Sequence, residues 1–502
     1  MQNFLVVLYT SLPFAIAALL AVLAVIGMGV GMVRPCWLAY VYMTVFFFKN
    51  STSYGSLAAA DPGIYSRGSG VLLFPLLLWC MLGAWICARV AGGFRRQPAP
   101  PCSLRPWFLA WALMLGGHVA VASFANVTLA QALAPSGFSN IVWMAPLVSL
   151  LLLSFRTRAD AIALSRFILL AGLGRALFGL ARWAVLGGDP NNVYANMNAI
   201  KIKLTFFDIN DSLLCTLAFA IAAVNLFQMV KARRATFWIV VDWATLLAGA
   251  ACIVLSYRRS AWIGFVLAFL VVMMRFPLRR RLQLLAAGMP LMGAGLLLAA
   301  WRRLGQTQGA GGWSGLFYDM ESHRFGAESE RVLELKYALA DFVVHPFTGI
   351  GAWGRYAGYQ HISWQTGQDG GLFLHSGVLH IALKAGLPGL ILLGGTIWAF
   401  CALARQALRT LPPELLGLAT AGAAGLAFML PDLLVGTPFP QVRTTQMLAI
   451  CLALPYVAMA VCRQAAAMQP GAHPPPHSLA RRAVQAGAPA APAKPDTAST
   501  HP

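Results

Sequence analysis

The chain has 502 residues, of which 59% are hydrophobic and only 11% charged, with a mean hydropathy of +0.69 and a formal net charge of +21. This composition lies far outside that of soluble globular domains and describes a membrane protein. The basic residues fall in short clusters between apolar runs and form no single basic face, which argues against a nucleic-acid partner and for orientation in a bilayer.

Apolar runs near the roughly 20 residues that cross the hydrocarbon core recur along the whole chain, and a chain that spans lipid must satisfy its backbone internally. The runs are continuous where barrel strands would alternate, so they predict an all-α polytopic bundle of about 12–14 transmembrane helices. Residues 1–5 lack the positive segment of a cleaved signal peptide, and none is expected. The predicted spans are 12–32, 35–49, 70–92, 106–129, 138–155, 165–187, 211–230, 237–256, 260–276, 283–300, 385–407, 414–435 and 442–462. Residues 4–32 accommodate one long helix or two short ones. Nine cysteines are scattered singly, without metal-ligand spacing, so neither a disulfide framework nor a metal site is expected.

Basic clusters fall at alternate connections, at Arg95, Arg96 and Arg105; Arg156, Arg158 and Arg166; Lys231, Arg233 and Arg234; Arg279, Arg280 and Arg281; Arg405 and Arg409; and Arg463. The positive-inside rule makes these cytoplasmic and puts 188–210, 257–259, 301–384 and 436–441 on the outer side. The long connection 301–384 carries seven of the sixteen acidic residues: Asp319, Glu321, Glu328, Glu330, Glu334, Asp341 and Asp369. A structureless loop of that length is uncommon, and "SERVLELKYALADFVVHP" predicts an amphipathic helix within it. There Val332, Leu335, Leu339 and Phe342 recur at helical spacing, and Pro346 follows the expected end. Residues 463–502, rich in Pro, Ala and His, read as a disordered cytoplasmic tail.

Three stretches carry unusual chemistry. In "SYRRSAW", residues 256–262, Arg258 and Arg259 fall at an outer turn, against the charge bias. Either they snorkel to lipid headgroups or they hold an anion in a water-filled cavity, which guanidinium groups do bidentately. In "GLGRALFGLARWAVL", Arg175 and Arg182 share one helix face, and Arg175 lies near midspan, where a charge requires a cavity or a partner. Asp160 and Asp242 are its candidate partners. Arg175 reads as structural, and Arg182, nearer the outer end, as a candidate substrate contact. In "LHSGVLHIALKAGLPGL", His375 falls near the outer surface where a helix enters the membrane, a place from which a histidine can act as general base. His380, five residues on, points to another side.

These motifs, in this order and membrane placement, resemble the O-antigen ligase and polymerase superfamily of bacterial envelopes over roughly residues 165–407. "TFFDINDSLL" is similar to the family's entry to a span, with Asn210 at its asparagine; "SYRRSAW" is similar to its serine and arginine signature. "ERVLELKYALADFVVHPFTGIGAWGRY" resembles its loop pattern at Arg331, Pro346, Gly349 and Gly351, and the stretch from His375 to Gly389 its histidine followed by Gly-x-x-Gly. Ser376 and Lys384 depart from the family's asparagine and acidic residue.

The resemblance implies a GT-C-like fold and a metal-independent, inverting glycosyltransferase without cofactors. Its donor would be a glycan on a polyprenyl (undecaprenyl) pyrophosphate, and its acceptor a glycan or lipid A core, at the periplasmic face of the inner membrane. In this reading His375 is the base, Arg258, Arg259 and Arg331 hold the pyrophosphate, and Arg182, Asp208 and Asn210 are candidate substrate contacts. Asp208 and Asn210 are also ordinary helix caps. The domains are then an N-terminal helical segment 1–164, a ligase-like core 165–462 containing the periplasmic loop 301–384, and the tail 463–502. Ligase, polymerase and protein glycosyltransferase remain open. The alternative from another class is a lipid-linked glycan flippase or polysaccharide transporter, for which broken helices in related halves are the expected sign.

Overall fold

The computed structural model describes residues 22–48, 73–185, 207–228, 235–286, 327–365 and 370–467, less residues 24, 257 and 284, together with 293, 294 and 297. Among the described residues there are helices and turns and no strands, and the protein is an all-α polytopic membrane protein. The chain divides into a large unit, Met1–Cys462, and a short one, Arg463–Pro502, of which residues 463–467 are described.

A helical stretch Val25–Val33 is bent by 120° against α1 (Pro35–Phe48), and the choice between one helix and two over residues 4–32 lies mostly outside the described residues. There follow α2 (Leu76–Phe94), α3 (Arg105–Phe124), the single turns α4 (Leu129–Ala132) and α5 (Ser139–Val142), α6 (Met144–Ser154) and α7 (Arg158–Val185). Next come α8 (Ile209–Gln228), α9 (Thr236–Leu255), α10 (Arg259–Met273) and α11 (Ala327–Val344). The last three are α12 (Gly377–Thr410), α13 (Pro413–Val435) and α14 (Val442–Ala467). Eight of the described helices, α2, α3, α7, α8, α9, α12, α13 and α14, are long and apolar enough to cross a membrane, and Ser139–Ser154 and Arg259–Met273 are shorter apolar helices. The expected spans 12–32 and 283–300 lie for the most part outside the described residues.

Helices α8 and α14 are buried along most of their length. In lipid, apolar side chains gain little by leaving one hydrophobic medium for another, so close packing of small residues and interhelical hydrogen bonds hold such bundles together. Gly264 of α10 lies against the Phe428 carbonyl of α13, and Gly172 of α7 against Ala218 of α8; a side chain at either position would hold the helices apart. Trp85 Nε1 donates to Ser149 Oγ at 2.8 Å, and Tyr42 Oη to Gln446 Oε1 at 3.0 Å. Each such bond contributes about 0.6–2 kcal/mol.

Outside the bundle, the segment between α11 and α12 folds back on both. Gly386 interrupts α12 at φ 63°, ψ −160°, a backbone state almost confined to glycine. The break exposes helix carbonyl and amide groups to the loop: Ile350 N donates to Leu383 O at 2.8 Å, and Leu387 N to Pro346 O at 2.7 Å. Lys384, fully buried, donates from Nζ to Gly354 O, so the lysine that departs from the family pattern ties the loop down. The acidic residues of α11 do the same from the other side. Asp341 Oδ2 accepts from Ala357 N at 2.6 Å, and Glu330 Oε2 from Ser363 N at 2.8 Å. Between the two helices Ala338, Tyr356, Leu374 and Leu383 form a small apolar core.

Of the apolar residues spaced along α11, Leu335 packs against this small core. Val332 and Leu339 are exposed, with Val343 and Val344, whereas Glu334 and Ala338 are fully buried. The helix turns its polar side inward because its carboxylates bind loop amides, and apolar spacing alone does not register that.

Replacement of Gly386 by alanine should therefore undock the loop. A Cβ there meets the Phe347 carbonyl carbon at 2.6 Å and Pro346 O at 2.7 Å, and the strained backbone alone costs about 1–3 kcal/mol. Thermal unfolding in detergent should show a lowered Tm, with faster proteolysis between residues 345 and 360. Gly394→Ala, at a site with open space around it, should behave as wild type.

Candidate functional site

The N-terminal end of α8 is built around Asp208. Its Oδ1 accepts the free amides of Asn210 and Asp211, each at 2.9 Å, which is the cap geometry expected of this residue. Its Oδ2 receives Arg443 Nη1 at 2.7 Å. The same arginine, in the first turn of α14, donates through Nη2 to Asp211 Oδ1 at 2.7 Å and through Nε to Phe46 O at 3.0 Å.

Arg175 closes this network bidentately on Asp211, Nε to Oδ1 at 2.9 Å and Nη2 to Oδ2 at 2.8 Å. All four charged groups are buried. The midspan arginine thus has a partner, but Asp160 and Asp242, the expected ones, are occupied elsewhere. Asp160 caps α7 by accepting from Thr157 N and Oγ1, and Asp242 Oδ1 accepts from Asn225 Nδ2 at 3.1 Å. Asp211 lies on the helix packed against Arg175, while Asp160 is more than four turns away along the same helix.

Directly beside this network is the SYRRSAW turn. Ser256 ends α9, Arg258 occupies the cap position of α10, and Arg258 Nε donates to Phe207 O, one residue before Asp208, at 3.1 Å. The carboxylate of Asp432, at the end of α13, lies within electrostatic reach of Arg258, Asp208 and His375. The following turn packs on the start of α12, since a Cβ at Gly377 would meet Pro438, Leu433 O and Phe439. The N-termini of α8, α10, α12 and α14 and the C-terminal ends of α7 and α13 therefore gather at one end of the bundle.

His375 precedes α12, whose cap is Ser376 Oγ accepting from Leu379 N. The imidazole Nδ1 lies 2.9 Å from Glu334 Oε2, and the His375 backbone N donates to the same oxygen at 3.2 Å. The other oxygen of Glu334 accepts from Gln365 Nε2 at 2.9 Å. The Glu334 side chain is fully buried, while that of His375 keeps 23% exposure, so the ring is tethered through Nδ1 and stays partly exposed. Tyr356 covers the carboxylate; burial, and then the Glu334 charge, push its phenol above the usual tyrosine range, which keeps it neutral.

Arg331 lies three residues before Glu334 on α11, hence on the same side of the helix. Its Nε is buried without a hydrogen-bond partner among the described residues. The Oδ1 of Asn210 is likewise buried and without one. Arg259 opens α10 next to Arg258 and is partly buried. Arg182 is buried on α7, about two turns beyond Arg175. His380 is elsewhere: its Nε2 contacts Gly137 O at 3.1 Å and pins α12 to the turn before α5. No cluster of His, Cys, Asp or Glu placed to hold a metal ion occurs among the described residues.

Arg258 and His375 thus share the neighbourhood of Asp432, and His375 and Arg331 that of Glu334. Three members of this site, Glu334, Asp432 and Arg443, escape a reading of the sequence. Residues 244–394 match the family model described as O-Antigen ligase, which places this stretch, with Arg258, Arg259, Arg331 and His375, in the O-antigen ligase/polymerase superfamily. No curated protein matches the chain.

Removing Asp211 should be severely destabilising, because it leaves two buried guanidiniums sharing the single carboxylate of Asp208. Breaking a buried pair costs about 3–5 kcal/mol. Asp211→Ala should show a large fall in Tm or a loss of folded protein in detergent extracts, and an unchanged Tm would contradict the network.

Proposed function

We propose that the protein transfers a glycan from an undecaprenyl pyrophosphate carrier to a hydroxyl of an acceptor glycan or of lipid A core, at the periplasmic face of the bacterial inner membrane. The matched family supports ligase- or polymerase-type membrane glycosyltransferase activity with lipid-linked glycan partners. The observation that carries the residue assignment is the imidazole of His375, tethered through Nδ1 to a buried carboxylate and partly exposed, beside arginines at the same end of the bundle.

In this reading the acceptor oxygen attacks the anomeric carbon as His375 Nε2 takes the hydroxyl proton. The bond from that carbon to the pyrophosphate oxygen breaks, and its electron pair leaves with the pyrophosphate. Negative charge grows on the departing group, and fixed cations placed where it grows lower the barrier. Arg258, Arg259 and Arg331 supply that charge, which makes the transfer metal-independent, and a single displacement inverts the anomeric centre. Arg182, Asp208 and Asn210 are proposed to line the substrate path. Asp208 does so with one oxygen committed to its cap and the other to Arg443.

The orientation has structural support. Arg95, Arg156, Arg280, Arg281, Arg405 and Arg409 lie at helix ends opposite to that of Arg258 and His375, as the positive-inside rule requires of a site facing the periplasm. The tail after residue 463 would then be cytoplasmic. A flippase or transporter is disfavoured because the deep arginines, Arg175 and Arg443, are spent on fixed carboxylates and not offered to a moving anion.

Reconstituted protein supplied with a pyrophosphate-linked donor and candidate acceptors tests this reading. His375→Ala should abolish transfer while the protein still inserts and binds donor; undiminished product would remove His375 as base. Arg258→Ala and Arg331→Ala should each lower turnover by about 10²–10³-fold, the usual cost of losing one donor to a developing anion. Normal turnover in both would return them to a structural role.

A further inference from the structure

We infer that Glu334 is the positioning residue of the reaction, its buried carboxylate held by Gln365 so that His375 keeps its ring proton on Nδ1 and acts through Nε2. The inference rests on the reading of His375 as base and adds the device that holds it in the competent tautomer.

A neutral imidazole carries its proton on one nitrogen and accepts on the other, so only the form with hydrogen on Nδ1 leaves Nε2 as a base. Every group that touches the Glu334 carboxylate is consistent with donation to it. The His375 backbone amide and Nδ1 meet Oε2, and Gln365 Nε2 meets Oε1. The amide of Gln365 is itself fixed in orientation. Its Oε1 accepts from Gly371 N at 2.9 Å, and its Nε2 also donates to Phe373 O at 3.2 Å. Turned over, it would set a donor against Gly371 N–H and an acceptor against Phe373 O.

An acceptor-only side chain is thus required at 334, and a carboxylate fills that need. Glu334 is 0% exposed and Gln365 is also fully buried, so water does not compensate for a wrong polarity. The chain of orientation runs from the loop backbone at Gly371 and Phe373 through Gln365 and Glu334 to the ring. The charge of Glu334 also stabilises the imidazolium that forms when the hydroxyl proton arrives.

In Glu334→Gln the NH2 of the new amide meets a donor whichever way it turns: towards Gln365 it faces that locked NH2, and towards His375 it faces the backbone N–H and is met only by an accepting Nδ1, which moves the ring proton to Nε2. The single tautomer is lost, and rings protonated on Nε2 do not act as base. The double variant E334Q/Q365E reverses the polarity of the pair. The new carboxylate at 365 accepts from Gly371 N and from the amide at 334, whose oxygen again faces His375, at the cost of the bond to Phe373 O.

Two readouts are made on the reconstituted full chain. Histidine-selective 15N spectra, with the His375 signals identified by their loss in His375→Gln, should show hydrogen on Nδ1 in wild type, no longer on Nδ1 alone in Glu334→Gln, and on Nδ1 again in the double variant. Turnover with the pyrophosphate-linked donor should fall by about 10²–10⁴-fold in Glu334→Gln, in kcat more than in KM, and recover at least about tenfold in the double variant. An unchanged tautomer in Glu334→Gln, wild-type kcat there, or a double variant no better than the single one overturns the inference. Full activity of His375→Ala would instead sink the assignment of the base, while the spectra still decide the role of Glu334.

Discussion

A carboxylate enclosed in the apolar body of a helical bundle has to be neutralised where it lies, and the Asp211 carboxylate is met there by two guanidiniums, Arg175 and Arg443. Because each partner comes from a different helix, the pairing sets α7, α8 and α14 in one register, and the Arg443 bond to Phe46 O brings in α1. The end of α8 is thereby held still, and with it the Phe207 carbonyl on which Arg258 rests. A buried ion network is weak evidence for stability, since well-packed apolar residues often do as well. Its value here is positional: rigid charge beneath the site gives the arginines above it a fixed floor.

Above that floor the construction changes from lipid physics to loop physics. The segment from α11 to α12 buries Ala352, Tyr356, Ile362 and Leu374, and carboxylates that gather its backbone amides fix it in place. The break of α12 at Gly386 supplies the matching groups from the membrane side. His375 stands where the two halves meet. Its backbone follows from the start of α12 and its ring from α11, so the docking of a soluble-style loop on a membrane helix decides the geometry of the imidazole.

Much of this was legible in the sequence. Continuous apolar runs give the helices, and the cost of a charge at depth correctly demanded a partner for Arg175. The identity of the partner was not legible, because nothing in one dimension shows that Asp211, at the start of a span, faces Arg175 on the neighbouring helix. Arg443 opens an apolar helix as its single charge in the first turn, which in one dimension is indistinguishable from an interfacial anchor. Glu334 was counted only as one of several acids marking the outer side. Its neighbour in space, His375, is 41 residues away in sequence, and Gln365 gives no signal of its own. The buried side of α11 was not legible for the same reason: hydrophobic periodicity finds the face that avoids water, and this helix buries Glu334 and Ala338 against the loop.

The account depends on Arg258, Arg331 and His375 facing one ligand at one end of the bundle. Photocrosslinking with a polyprenyl pyrophosphate analogue that carries its reactive group next to the diphosphate, followed by peptide mapping, tests this most directly. The account predicts labelled peptides around residues 256–262, 331–338 and 373–378. Labelling confined to the opposite helix ends, around Arg280 and Arg405, with those three peptides unmodified, would contradict it.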